Sequence, residues 1–203
     1  YIAAEKAPSA DSEARSDDSA LRRKFAADPA HYGNARIVEF DAAAPKFGAP
    51  GSADVVLTFR NVHNWMAADK GTAGTGPAMF KAFFDVLKPG GVLGVVDHRA
   101  TAGADLQKIK NSGYLPEDYV IKLATDAGFK LDGKSEINAN PKDDHDHPKG
   151  VWTLPPTLTL GDKDKDKYLA IGESDRMTLR FVKPESDKIF SAPADTAGKP
   201  AKN

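Results

Sequence analysis

Apolar positions along the chain follow two rhythms, short continuous runs and stripes at helical spacing. Residues 53–60 carry Val55, Val56, Leu57 and Phe59 as a near-continuous run with β-branched members. Such a run predicts a strand buried on both faces, as parallel sheets contain. Residues 92–96 repeat that composition. Between the two, Phe80, Phe83, Phe84 and Leu87 recur at i, i+3, i+4 and i+7, one stripe of an amphipathic helix, and Pro77 suits its first position. Lys88-Pro89-Gly90-Gly91 is expected to close that helix and turn the chain into the strand at 92–96. A second helix is predicted from Pro116. Glu117 and Asp118 sit in its positively polarised first turn, Val120, Leu123, Ala124 and Ala127 face inward, and Gly128 stops it.

Upstream, Tyr1-Ile2-Ala3-Ala4 reads as a strand entered without a turn or cap. A polar stretch follows, then a short basic helix with Leu21 and Phe25 on one face, then a strand at 35–40. Downstream, Phe129, Leu131 and Ile137 suggest another strand, and Met177, Leu179 and Phe181 alternate with Thr178, Arg180 and Val182 in a final one. Strands alternating with helices imply right-handed crossovers and a mainly parallel sheet. No helix is predicted between the last two strands, and the polar, proline-punctuated connection at 139–174 lets the final strand return antiparallel. Residues 67–77, rich in Gly, Ala and Thr, read as a substrate lid or a plain flexible connection. Residues 189–203 lose all apolar period and are expected to be a disordered tail, leaving one domain at 1–188.

A chain of 203 residues with 40% hydrophobic content is long enough for one substantial core. Its 28 basic and 29 acidic residues nearly cancel, so no long-range field points to nucleic acid or an anionic membrane. No apolar run approaches the roughly 20 residues that span a bilayer, so no membrane insertion is expected. The absence of cysteine removes disulfides, thiolate metal sites and a cysteine nucleophile, and leaves the compartment open. Asp143-Asp144-His145-Asp146-His147 contains metal-ligand types, but adjacent loop residues seldom converge on one ion, and no metal is assigned. Asp162, Asp164, Asp166 and Glu173 match the carboxylate spacing of a calcium loop. Lys167 stands where that loop needs glycine, so a solvated loop or hairpin is expected.

The stretch 80–96, built on Val-Leu-Lys-Pro-Gly-Gly-Val-Leu-Gly-Val-Val, resembles the helix, turn and fifth strand of class I S-adenosylmethionine-dependent methyltransferases. Asp54-Val55-Val56-Leu57, leading to Asn61-Val62-His63-Asn64-Trp65, resembles their fourth strand and active-site loop. Ala127-Gly128-Phe129 is similar to their turn into strand six, and Asp175-Arg176 to the approach to an antiparallel strand seven. Val96-Asp97-His98-Arg99 together with 138–143 and Ser174-Asp175-Arg176 is similar to a bacterial group of predicted methyltransferases that are often exported. The resemblance implies an α/β, Rossmann-like methyltransferase fold with a mainly parallel sheet and an antiparallel last strand. The family's first strand and Gly-rich loop have no counterpart here and are expected upstream of Tyr1. A periplasmic location would follow if an export signal lay there, and a cytoplasmic one otherwise.

The same resemblance implies S-adenosylmethionine as cofactor and a small-molecule or protein methyl acceptor. Glu5 would accept from the ribose hydroxyls, because both carboxylate oxygens are acceptors. Asp41 would accept from the adenine amino group, with Phe40 and Ala42 lining the purine and Asn61 near the cofactor. Arg60, Asn61, His63, Asn64 and Trp65 crowd the end of a buried strand, where open α/β sheets expose ligands. His63 is the candidate general base, since its ordinary pKa lies near neutral pH. Arg60, Asn61 and His98 complete the candidate catalytic set, with Asp97 and Arg99 beside His98. For each, a packing or surface role is the plain alternative. A binding protein that keeps the fold without turnover is the competing function, and a nicotinamide-dependent Rossmann oxidoreductase is a third, disfavoured because an antiparallel end strand and the Lys-Pro-Gly-Gly turn fit methyltransferases better.

Overall fold

The computed structural model describes residues 1–8, 19–66 and 74–185. Most of the expected lid and all of the expected tail lie outside these residues. Strands β1 (Ile2–Lys6) and β2 (Arg36–Phe40) form a parallel pair, in register from Ile2 opposite Arg36 to Lys6 opposite Phe40. Helices α1 (Ala20–Ala27) and α2 (Pro29–Tyr32) connect them. Ser19 caps α1 by accepting from the Arg22 N–H at 3.1 Å, satisfying one of the donors a helix start leaves free. Phe25 stacks on Tyr32 with ring centroids 4.8 Å apart.

The second sheet contains β3 (Ala53–Phe59), β4 (Leu87–His98), β5 (Lys130–Ser135) and β6 (Arg176–Val182) in the order β3-β4-β6-β5. β3 and β4 are parallel and joined through α3 (Thr75–Val86). After β4 come the single-turn α4 (Leu106–Ile109) and then α5 (Glu117–Asp126), which leads into β5. β6 inserts between β4 and β5 and runs antiparallel to both. The core lies on one face of this sheet. Met79, Phe80 and Phe83 of α3 and Val120, Leu123 and Ala124 of α5 pack on Leu93 and Val95 of β4 and on Met177, Leu179 and Phe181 of β6. Each large apolar side chain so buried contributes about 1.5–3 kcal/mol. Among the described residues no helix is long and apolar enough to cross a membrane.

Several elements differ from their sequence expectation. β3 is not buried on both faces: Val55, Leu57 and Phe59 are 55%, 60% and 57% exposed, while Thr58 between them is buried. β3 has a single ladder partner, β4, and the face that carries Val55 and Leu57 lacks full cover among the described residues. Helix α3 begins at Thr75 behind a left-handed Gly74, placing Pro77 within the first turn. Lys88-Pro89-Gly90-Gly91 falls inside β4, where the ladder to β3 shifts register between Ala53 and Val55. β5 ends at Ser135, leaving Ile137 exposed beyond it. The lysine- and aspartate-rich stretch expected as a loop contains a helix, α6 (Lys165–Ile171), anchored by buried Tyr168.

Candidate active site

β3 and β4 end side by side, with Phe59 opposite Val96. The chain leaves β3 through Arg60, held at φ 54, whose N–H still donates to the Val96 carbonyl at 2.7 Å. A left-handed conformation at a non-glycine residue is strained, and here it turns the backbone into a single 3₁₀ turn, Val62–Trp65. The first N–H groups of such a turn need acceptors, and Asn61 makes no side-chain cap. Asp97, from the neighbouring strand, supplies them. Its Oδ2 accepts from Val62 N–H at 2.7 Å and His63 N–H at 3.3 Å, and its Oδ1 accepts from His98 N–H and His63 Nδ1, each at 2.8 Å.

Asp97 is fully buried, and its four donors match the acceptor capacity of a carboxylate. Because a carboxylate only accepts, His63 carries its proton on Nδ1. Nε2 is left as an acceptor, with no partner among the described residues, on a ring whose side chain is 9% exposed. The His98 ring lies 5.1 Å from that of His63, and its Nδ1 is 2.5 Å from Ser174 Oγ. Burial pushes the His98 pKa down to about 4 against a smaller opposing effect of Asp97, with His63, Arg176 and Arg60 reinforcing the fall. His98 is therefore neutral at physiological pH.

These rings face a cleft of about 310 Å³. Its walls include Phe59, Arg60, Asn61, Trp152, Glu173 and Arg176. The Trp152 ring stands edge-on to His63 at 6.1 Å. It is carried by a second 3₁₀ turn, Gly150–Thr153. Gly150 has φ +55, and a Cβ there would lie 2.0 Å from the Ser112 carbonyl oxygen, so only glycine lets the turn sit against residue 112.

A pair of carboxylates, Asp143 and Asp175, fastens this wall. Tyr114 Oη donates to Asp143 at 2.8 Å, His147 Nε2 lies 2.8 Å from the same carboxylate, and the Asp175 N–H donates to it at 2.8 Å. Asp175 in turn accepts from Arg99 Nε at 2.9 Å and Asn140 N–H at 2.8 Å. Burial alone would raise both carboxyls, but these donors outweigh it and hold both below the usual range. Burial, reinforced by Asp143, pushes the Tyr114 phenol well above its ordinary value and keeps it a donor. Ligand-type atoms of Asp143, Asp144 and His147, and of His63, Asp97 and His98, each gather within 4.8 Å. In both groups the protein's own donors already occupy the central carboxylate.

Arg60, Asn61, His63 and His98 thus come together around one cleft. Glu5, Phe40, Asp41 and Ala42 do not line it; they stand at the ends of β1 and β2. Glu5 pairs with Arg22 at 3.9 Å, Asp41 accepts from Ala43 N–H at 2.8 Å in a turn of its own, and Phe40 packs edge-on to Phe47 at 5.1 Å. Sequence reasoning missed Trp152, Glu173 and Arg176 as cleft walls and Asp97 as the carboxylate that orients His63. The adjacency of Asp97 to His98 at a strand end was the available signal. Trp152 had none, because its approach depends on the fold of the 139–174 connection.

This fold recurs in solved structures. The chain superposes on an S-adenosylmethionine-dependent methyltransferase from Methanosarcina mazei with a TM-score of 0.55 at 13% identity, covering 91% of this chain and 83% of that one. It superposes on the [4+2]-cyclase SpnF with a TM-score of 0.53 at 15% identity, covering 82% of this chain and 62% of the cyclase. The chain therefore spans less than two thirds of the cyclase's length. At such identities what is shared is the α/β fold with its mixed sheet, and a fold that hosts both chemistries does not select between them. No protein-family model and no curated protein matches the sequence.

The depressed His98 pKa fixes a pH window. Below about pH 6.5 the unfolded chain takes up a proton that folded His98 refuses until about pH 4. Stability is complete above pH 6.5 and falls by about 3 kcal/mol on descending to pH 4. Loss of the Asp143 and Asp175 contributions comes only below their ordinary value of 3.8. Urea denaturation at half-unit steps should show this decline in the wild type and a flatter profile in His98→Asn. Parallel profiles would contradict the assignment.

Proposed function

We propose that the chain forms the greater part of an S-adenosylmethionine-dependent methyltransferase domain acting on a small-molecule acceptor. His63 Nε2 is the general base and Asp97 the residue that positions it. The observation that carries this reading is the buried Asp97–His63 pair at the carboxyl ends of adjacent parallel strands, with the free nitrogen beside a cleft. Open α/β sheets place their ligands at such strand ends. The residues present fit the cofactor in part. Glu5, at the end of β1, has only a 3.9 Å ion pair to Arg22 among the described residues, so its carboxylate retains acceptor capacity for a vicinal diol.

When bound, S-adenosylmethionine supplies an activated methyl group on a sulfonium that leaves as a neutral thioether. The chain's task is alignment and removal of one proton. Arg60 and Asn61 hold the acceptor, His98 stays neutral and adds no opposing charge, and His63 Nε2 takes the acceptor's proton. Asp97 fixes the tautomer and stabilises the imidazolium that results. The small cleft supports a small-molecule acceptor over a protein one.

The same reading assigns the edges of β1 and β3 that have no ladder partner among the described residues to a central strand followed by a Gly-rich turn, contributed from upstream of Tyr1. Exposed Val55 and Leu57 support it, since their composition suits a covered strand. The sequence has no cysteine, so Leu57→Cys provides a single thiol. Its reaction with a thiol reagent should slow at least tenfold when the upstream segment is present in the polypeptide. Equal rates with and without that segment would defeat the assignment.

Calorimetry on the full-length protein should show binding of S-adenosylmethionine and S-adenosylhomocysteine but not NAD. Methyl incorporation into a panel of hydroxylated acceptors should then fall by about 10²–10⁴ in Asp97→Asn and in His63→Gln. Binding without incorporation would favour the non-catalytic alternative. Absence of cofactor binding, or full activity in Asp97→Asn, would overturn the reading.

A further inference from the structure

The cleft has a surplus of cationic donors. Arg60 and Arg176 line it together with one carboxylate, Glu173. Glu173 is engaged by Arg176 at 2.5 Å, whereas Arg60 has no ion-pair partner among the described residues. Arg176 Nε is also a buried donor without a hydrogen bond among those residues. Both guanidinium groups act electrostatically on His98, which places their positive charge around the neutral imidazole. Asp97 acts on His98 in the opposite sense, but its oxygens already accept from four N–H groups behind His63 and have no lone pair left for a guanidinium. Arg60 is therefore left with guanidinium donors that no carboxylate among the described residues engages.

Flat apolar surfaces border the same space. Phe59 is 57% exposed and Trp152 37% exposed, and both line the cleft. The volume, about 310 Å³, lies at the low end of the roughly 300–1,000 Å³ of small-molecule sites. A guanidinium fork matches a carboxylate in shape and charge, and aromatic walls favour a planar body.

We infer that the cleft selects a small aromatic hydroxy-acid, with Arg60 binding its carboxylate between the Phe59 and Trp152 walls and its hydroxyl directed to His63. Arg60, which lines the cleft at the turn out of β3, is a specificity-determining residue. This inference rests on the methyl-transfer reading for the fate of the hydroxyl, while recognition of the carboxylate stands without it.

The test measures binding of 4-hydroxybenzoate and 4-hydroxyphenylacetate, each against its neutral amide, to the full-length protein with and without S-adenosylhomocysteine. The acids should bind at least tenfold tighter than the amides. Arg60→Gln should abolish that preference, and Arg60→Lys should retain part of it. Thermal unfolding of each variant separates loss of recognition from loss of structure. Equal affinity for acid and amide, no binding of either acid at millimolar concentration, or a preference that survives in folded Arg60→Gln would overturn the inference. A retained acid preference in a protein that binds no S-adenosylhomocysteine would instead overturn the methyl-transfer reading alone.

Discussion

The site is organised around a buried carboxylate with no freedom left. Asp97 lies at the end of β4 and accepts four N–H groups, three from the backbone and one from an imidazole. A charge so placed is tolerable only if every lone pair is used, since an unpaired buried ion costs several kcal/mol. That requirement couples the register of β3 on β4 to the start of the 3₁₀ turn and to the tautomer of His63. A slip of one residue between the strands would move Asp97 to the other face of the sheet and strip the turn of its acceptors.

The opposite wall depends on a pair of carboxylates. Asp143 and Asp175 gather donors from Tyr114, His147, Arg99 and Asn140, so the polar connection between β5 and β6 is folded back against the end of β4. This connection carries Trp152 and Glu173 to the cleft. Its backbone geometry is demanding at Gly150, where any side chain would meet residue 112. Residues that look like metal ligands in the sequence therefore act as a hydrogen-bonded staple.

The regular parts of this architecture were legible because their patterns are local. The Phe80–Phe83 stripe and the Val120–Leu123–Ala124 stripe correspond to the buried faces of α3 and α5, and the alternation at Met177, Leu179 and Phe181 to the core face of β6. Exposure of β3 was not legible, since burial is decided by what packs over each face of the strand and not by its own composition. Helix α6 was obscured by its charges, because the one buried anchor, Tyr168, acts through tertiary contact. Within the site, the grouping of Arg60, Asn61 and His63 followed from their place after a strand. The bond that aims His63 joins residues 34 apart in sequence and has no local signature. The approach of Trp152 and Arg176 to the cleft is likewise a product of chain return.

The central claim is that Asp97 holds His63 with its proton on Nδ1 and leaves Nε2 free to accept another. Nitrogen-15 NMR of histidine-labelled protein above pH 7 reads this directly. The account predicts a protonated, pyrrole-like Nδ1 and a pyridine-like Nε2 for His63, with that preference lost in Asp97→Asn. A His63 resonance pair showing the proton on Nε2 in the wild type would contradict it.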